Sequence, residues 1–148
     1  MGHTYSDCLY HVIFSTKERR PFPLDAMQRL HPYIVGIAKQ NAFTAPLVGG
    51  VEDHVHLLLA IPPSLALSKA VQLIKGGSSK WFNEEYATQG FAWQEGFAAL
   101  TVSRSQEGSV RHYIANQQEH HNKRDFSAEF IALLKKHGVP YDPKYVLG

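Results

Sequence analysis

The chain has 148 residues, 44% of them hydrophobic and 11% aromatic, and its 15 Lys and Arg against 13 Asp and Glu leave a formal charge of +2. That length suits one domain over residues 1–148 with a core of its own, and the single cysteine, Cys8, excludes a disulfide scaffold. The longest apolar run, Leu57 to Ile61, falls far short of the ~20 residues of a membrane helix, and the start shows no basic-then-apolar leader, so a soluble, cytoplasmic protein without a membrane partner is expected.

Taken in chain order, Tyr10 to Ser15 is rich in β-branched and aromatic residues and predicts a strand. Met27, Leu30, Ile34, Ile37 and Ala38 recur at helical spacing, with Asp25 placed as a cap and Pro32 as an expected kink. Ala45 to Val51 and His54 to Ile61 predict two strands joined at Glu52-Asp53. Leu67, Val71, Ile74, Ser78, Trp81 and Phe82 mark a second helix, capped by Ser64 or Ser68 and expected to be interrupted at Gly76-Gly77. A fourth strand fits Phe97 to Ser103, a third helix Gln106 to His120, and a last helix Ser127 to Gly138. Ser127 is the expected cap of that last helix and Phe126 with Ile131 its staple. Strand, helix, strand, strand, helix, strand is the split βαβ order of an α+β, ferredoxin-like antiparallel sheet with strands one and three central. Two further helices follow that core.

His54 and His56, two apart on a strand, project from one face about 7 Å apart along the chain, as a divalent-metal site requires. A hydrogen-bonded pair packed on the sheet explains the same spacing. Tyr113 and Gln117 lie four apart on the third helix and share a face. A phenol can act as a covalent nucleophile and an amide oxygen can ligate a hard cation, although a tyrosine on an amphipathic helix is more commonly a packing residue. Gln118 diverges from Gln117, and the adjacent His120 and His121 diverge from each other. No acidic residue occurs from His54 to Asn83, while Lys69, Lys75 and Lys80 fall inside that stretch.

Asp53-His54-Val55-His56-Leu57-Leu58, Lys75-Gly76-x-Ser78-Ser79 and Tyr113-Ile114-x-Asn116-Gln117-x-x-His120-His121 together resemble the single-tyrosine HUH transposases of small bacterial insertion sequences, to which the REP-associated tyrosine transposases are related. The resemblance runs over nearly the whole chain. It implies a homodimer that cleaves single-stranded DNA beside hairpin ends. It further implies that His54, His56 and Gln117 bind Mg²⁺ or Mn²⁺, and that Tyr113 attacks the scissile phosphate to leave a 5′-phosphotyrosine. The expected DNA-contacting residues are Lys17, Arg19, Arg20, Lys75, Ser79, Lys80 and Arg104. Gly77 departs from the family pattern where a longer side chain is expected, which should weaken DNA contacts there. Two other readings compete: a non-catalytic nucleic-acid-binding protein on the same fold, and a zinc hydrolase built on His54 and His56.

Overall fold

The computed structural model describes residues 2–86, 90–117, 119 and 125–147. Strand β1 (Leu9–Ser15) is followed by a 3₁₀ turn (Lys17–Arg19), helix α1 (Leu24–Gln40), strands β2 (Thr44–Gly50) and β3 (His54–Ala60), and helix α2 (Leu67–Glu85). Strand β4 (Ala98–Val102), a second 3₁₀ turn (Arg104–Gln106), helix α3 (Glu107–Ala115) and helix α4 (Phe126–Lys136) complete it. The four strands pair antiparallel in the order β2-β3-β1-β4. The expected ferredoxin-like order is present, with β1 and β3 in the middle.

Strand alternation divides the core in two. Val12, Phe14, Val55, Leu57 and Leu59 point to the face covered by α1 and α2, where they meet Met27, Leu30, Ile34, Val71, Ile74 and Phe82. Ile13, Leu58, Ala98 and Leu100 point the other way, against Ile114, Phe126, Phe130 and Leu134 of α3 and α4. Every residue of β3 from His54 to Leu59 is buried, as a strand covered on both sides must be. Because Ile13 lies opposite His56 and Ser15 opposite His54, both histidines fall on the α3/α4 face, and His11 joins them two residues along β1.

Several local expectations are corrected. Pro23, not Asp25, flanks α1; Asp25 lies in its first turn and makes no capping bond, and the helix runs through Pro32 as one element. Ala66 flanks α2, which neither Ser64 nor Ser68 caps, and Gly76-Gly77 does not interrupt it. Gly77 faces α1: a Cβ there would stand 2.9 Å from Ile37 Cδ1, so the tip of Ile37 would have to give way to any side chain at this position. In α4 the cap is Asp125, whose Oδ1 accepts from the Ala128 amide at 2.9 Å, and Phe126 stacks on Phe130, not Ile131. The charged carboxylate reaches the free amide first, which leaves Ser127 inside the turn. Helix α3 stops at Ala115, with non-helical backbone at Asn116, while Gln118, His120 and His121 lie outside the described residues.

One glycine positions the tyrosine helix. Gly49 pairs with His56 across β2 and β3, and a Cβ on it would lie 2.3 Å from the Ile114 carbonyl oxygen of α3. The missing side chain lets α3 settle on the sheet one residue from Tyr113. Gly49→Ala is expected to cost about 1–3 kcal/mol in urea unfolding, because the obstructing atom is backbone and cannot rotate aside.

Candidate metal and tyrosine site

Five polar side chains, all buried, converge on the α3/α4 face: His11, His54, His56, Gln117 and Glu129. Buried polar groups must satisfy one another, and these do. Glu129 Oε1 lies 2.9 Å from His56 Nε2 and 3.2 Å from His54 Nε2, so one carboxylate oxygen bridges the two imidazoles. Gln117 Oε1 stands 3.0 Å from His54 Nε2, and the Gln117 amide nitrogen donates to the Tyr113 carbonyl at 3.2 Å, which fixes the direction of the amide. The Tyr113 hydroxyl donates to the other Glu129 oxygen, Oε2, at 2.7 Å. The Tyr113 ring also meets His56 edge-on, with centroids 5.6 Å apart. The remaining imidazole nitrogens are held as well: His54 Nδ1 by Asp53 at 2.7 Å and His56 Nδ1 by His11 Nε2 at 2.8 Å.

This donor set fits a divalent cation. The two histidines and Glu129 each offer one atom, and all three atoms lie within 4.8 Å of one another. Cation–oxygen bonds of about 2.1 Å in octahedral geometry put neighbouring ligands roughly 3 Å apart, close to the 2.9, 3.0 and 3.2 Å found here. Second partners on both imidazoles, which set tautomer and ring orientation, are what metal-bound histidines need.

Electrostatics point the same way. Burial works against a charge on His54, but the Asp53 and Glu129 carboxylates outweigh it and raise the imidazole to about 9. Burial also opposes the Glu129 charge, yet bonds to His54, His56 and Tyr113 hold that carboxyl well below its usual range. His11 is pushed down to about 3, first by burial and then by its neighbours His56 and His137, so it is a neutral partner. A carboxylate site that draws a proton onto His54 will draw a cation there instead. Because His54 is raised when folded, its contribution to stability is whole below about pH 6.5 and lost as pH climbs through 9. The cation-free chain should therefore lose on the order of 3 kcal/mol over that window, measured by urea unfolding at stepped pH. Cation affinity should move oppositely, rising with pH up to about 9 as the competing proton leaves, which titration calorimetry with Mn²⁺ will read.

The structure thus brings together His54 and His56 of β3, Tyr113 of α3 and Gln117, two residues beyond the end of that helix. Glu129 and His11 were not anticipated. Glu129 carried one readable signal: it lies between Phe126 and Phe130 on the apolar side of α4, where an acid is out of place unless paired. The residues expected to contact DNA do not gather in one place. Lys75 and Ser79 border a groove of ≈ 500 Å³ with Phe91, Trp93 and Phe97 on the α2 side of the sheet. There the Lys75 ammonium is engaged by the Gln94 and Gly96 carbonyls, and burial lowers it to about 8 against the pull of Glu95. Lys17 and Arg20 flank a small depression, Arg19 donates to the Leu147 carbonyl, and Lys80 is exposed. Arg104 is paired with Asp7 and Glu107.

A ferredoxin-like sheet presenting two strand-borne imidazoles beneath a tyrosine helix defines the single-tyrosine class of the HUH superfamily. The family described as IS200-like transposase matches residues 4–117, and the chain belongs to that family: it is a DNA transposase by descent. It is 26% identical over 126 residues to the transposase of insertion sequence IS200 from Salmonella typhimurium, covering 80% of this chain and 82% of that one. It is 28% identical over 117 residues to the ISDra2 transposase TnpA of Deinococcus radiodurans, covering 74% and 84%. A crystal structure described as a transposase of Deinococcus radiodurans superposes with a TM-score of 0.63 at 27% identity, over 79% of this chain and 96% of that one. A REP-associated tyrosine transposase solved with a REP hairpin shares the fold at a TM-score of 0.52 and 16% identity, over 77% and 67%. No helix among the described residues is long and apolar enough to cross a membrane. Tyr113 and Gln117 lie within the family match, whereas Glu129 lies beyond it.

Proposed function

We propose that this transposase cleaves and rejoins single-stranded DNA beside hairpin ends, with Tyr113 as nucleophile and a divalent cation, Mg²⁺ or Mn²⁺, at His54, His56 and Gln117. Glu129 supplies the carboxylate that such a hard ion favours. The observation that carries the reading is the shared carboxylate: one Glu129 oxygen lies between the imidazoles and the other holds the Tyr113 hydroxyl. When bound, the cation would neutralise charge developing on the scissile phosphate.

The chain's own residues do the rest. Asp53 and His11 fix the imidazoles, and Gln117 ties the tyrosine helix to His54. Glu129 aims the phenol oxygen, which forms a bond to phosphorus as the bond to the 3′ oxygen breaks. The phenol proton leaves by way of the Glu129 oxygen it faces, and the departing 3′ oxygen takes up a proton from water, so the net transfer is one proton from phenol to the 3′ hydroxyl. One phosphodiester is exchanged for another, so the linkage to tyrosine can be reversed to rejoin strands without a nucleotide cofactor. A homodimer acting on paired ends, and a hairpin contact like that of the REP-associated neighbour, complete the proposal.

Against a non-catalytic binder that stacks bases on central strands, both faces of β1 and β3 are covered by helices. The zinc hydrolase reading gains a carboxylate in Glu129 but leaves the tyrosine beside it, and membership of a transposase family, unexplained. The test is a labelled single-stranded hairpin incubated with Mg²⁺ or Mn²⁺. A denaturation-resistant protein–DNA adduct is expected, and its absence with both ions and a range of hairpin ends from the host element would overturn the proposal.

A further inference from the structure

Between α3, β4 and the last turn of α4 lies a second groove, of ≈ 420 Å³, that shares Tyr113 and His11 with the site just described. Its walls combine apolar Val110 and Leu133 with the Ser103 hydroxyl, and the Lys136 ammonium and His137 imidazole border it. The His137 ring is fixed by its Nδ1, 3.0 Å from the Leu133 carbonyl. Among the described residues no acidic side chain lines the groove. Apolar walls, a hydroxyl and one ammonium without a counter-carboxylate suit one nucleotide of a DNA strand, base inward and phosphate between Tyr113 and Lys136.

We infer that this groove seats the nucleotide immediately 3′ of the scissile phosphate, the one that stays joined to Tyr113 after cleavage; the assignment of that nucleotide rests on the strand-transfer reading above. Attacking and leaving oxygens lie roughly in line on phosphorus, so the strand ending in the free 3′ hydroxyl departs from the side opposite the phenol. The nucleotide that keeps the phosphate hangs from an equatorial oxygen and stays covalently tethered to Tyr113, so its seat must adjoin that side chain. The groove adjoins Tyr113, which lines it and whose hydroxyl contacts Glu129. Helices α3 and α4 thus have two tasks: α3 presents the nucleophile, and the end of α4 holds the strand it captures.

The test uses the full chain, without added cation, and two thymidine tetranucleotides, one phosphorylated at its 5′ end and one at its 3′ end. The 5′-phosphorylated probe should bind more tightly and shift the methyl resonances of Val110 and Leu133. Lys136→Ala should weaken it about tenfold, the loss of one charge-assisted contact. Ser109→Trp, at an exposed lining position of α3, should fill the groove and abolish those methyl shifts. Equal binding of both probes, or wild-type binding by the folded Ser109→Trp and Lys136→Ala variants, would overturn the inference. The two readings fail separately. An adduct that forms undiminished in Ser109→Trp removes the groove and leaves strand transfer standing. Groove binding with no Tyr113 adduct under any cation removes strand transfer and leaves the groove as a 5′-phosphate site.

Discussion

Tyr113→Phe is expected to bind a single-stranded hairpin as the parent chain does and to form no covalent adduct with it. The substitution removes one oxygen and leaves the ring that packs against His56 and His11. Loss of the nucleophile should reduce strand cleavage by about 10⁴-fold or more, to the background of the remaining site. The Glu129 carboxylate would lose one of its three partners but keep both histidines, so folding should change by only ~1 kcal/mol. A denaturing gel reads the first quantity and urea unfolding the second. An adduct surviving in Tyr113→Phe would place the nucleophile elsewhere.

Glu129→Ala should be the most damaging single change to stability. It strips the carboxylate from two buried imidazoles and a tyrosine hydroxyl at once, and breaking a buried pair by removing one partner costs about 3–5 kcal/mol. Glu129→Gln separates shape from charge. The amide can still hold Tyr113, but without the negative charge His54 should fall from about 9 by about one pKa unit or more, which a histidine NMR titration would follow. If His54 in Glu129→Gln titrates as in the parent, Asp53 alone sustains it and the bridging role of Glu129 is wrong. Because Glu129 lies beyond residues 4–117, relatives matched only over that span need not share this carboxylate.

The core of this architecture could be read from the chain because its signals are short-range. Alternation along His54-Val55-His56-Leu57-Leu58-Leu59 and the helical spacing of Met27, Leu30, Ile34 and Ile37 both report burial within a few residues. Element ends were less legible, since they turn on which of several polar residues reaches a free amide first. At α4 Asp125 does so, two residues ahead of Ser127. Glycines misled for the opposite reason: Gly77 looks like a helix breaker, but Ile37, forty positions away, makes it the residue that fits. The site divides along the same line. His54 with His56, and Tyr113 with Gln117, lie within reach of each other in sequence, so spacing exposed them. Glu129 joins through α4, 73 positions from His56, and His11 through β1, 45 positions away. Neither meeting is written in any local pattern, because only the packing of α4 over the antiparallel sheet creates it.

The central claim is that both strand-borne imidazoles bind one cation directly beside the tyrosine. Pulsed electron paramagnetic resonance on the chain loaded with Mn²⁺ tests it most simply, by counting the imidazole nitrogens coupled to the metal. Two coupled nitrogens are expected, falling to one in either His54→Ala or His56→Ala and staying at two in Tyr113→Phe. Couplings from neither histidine, or a signal unchanged in both alanine variants, would contradict the account.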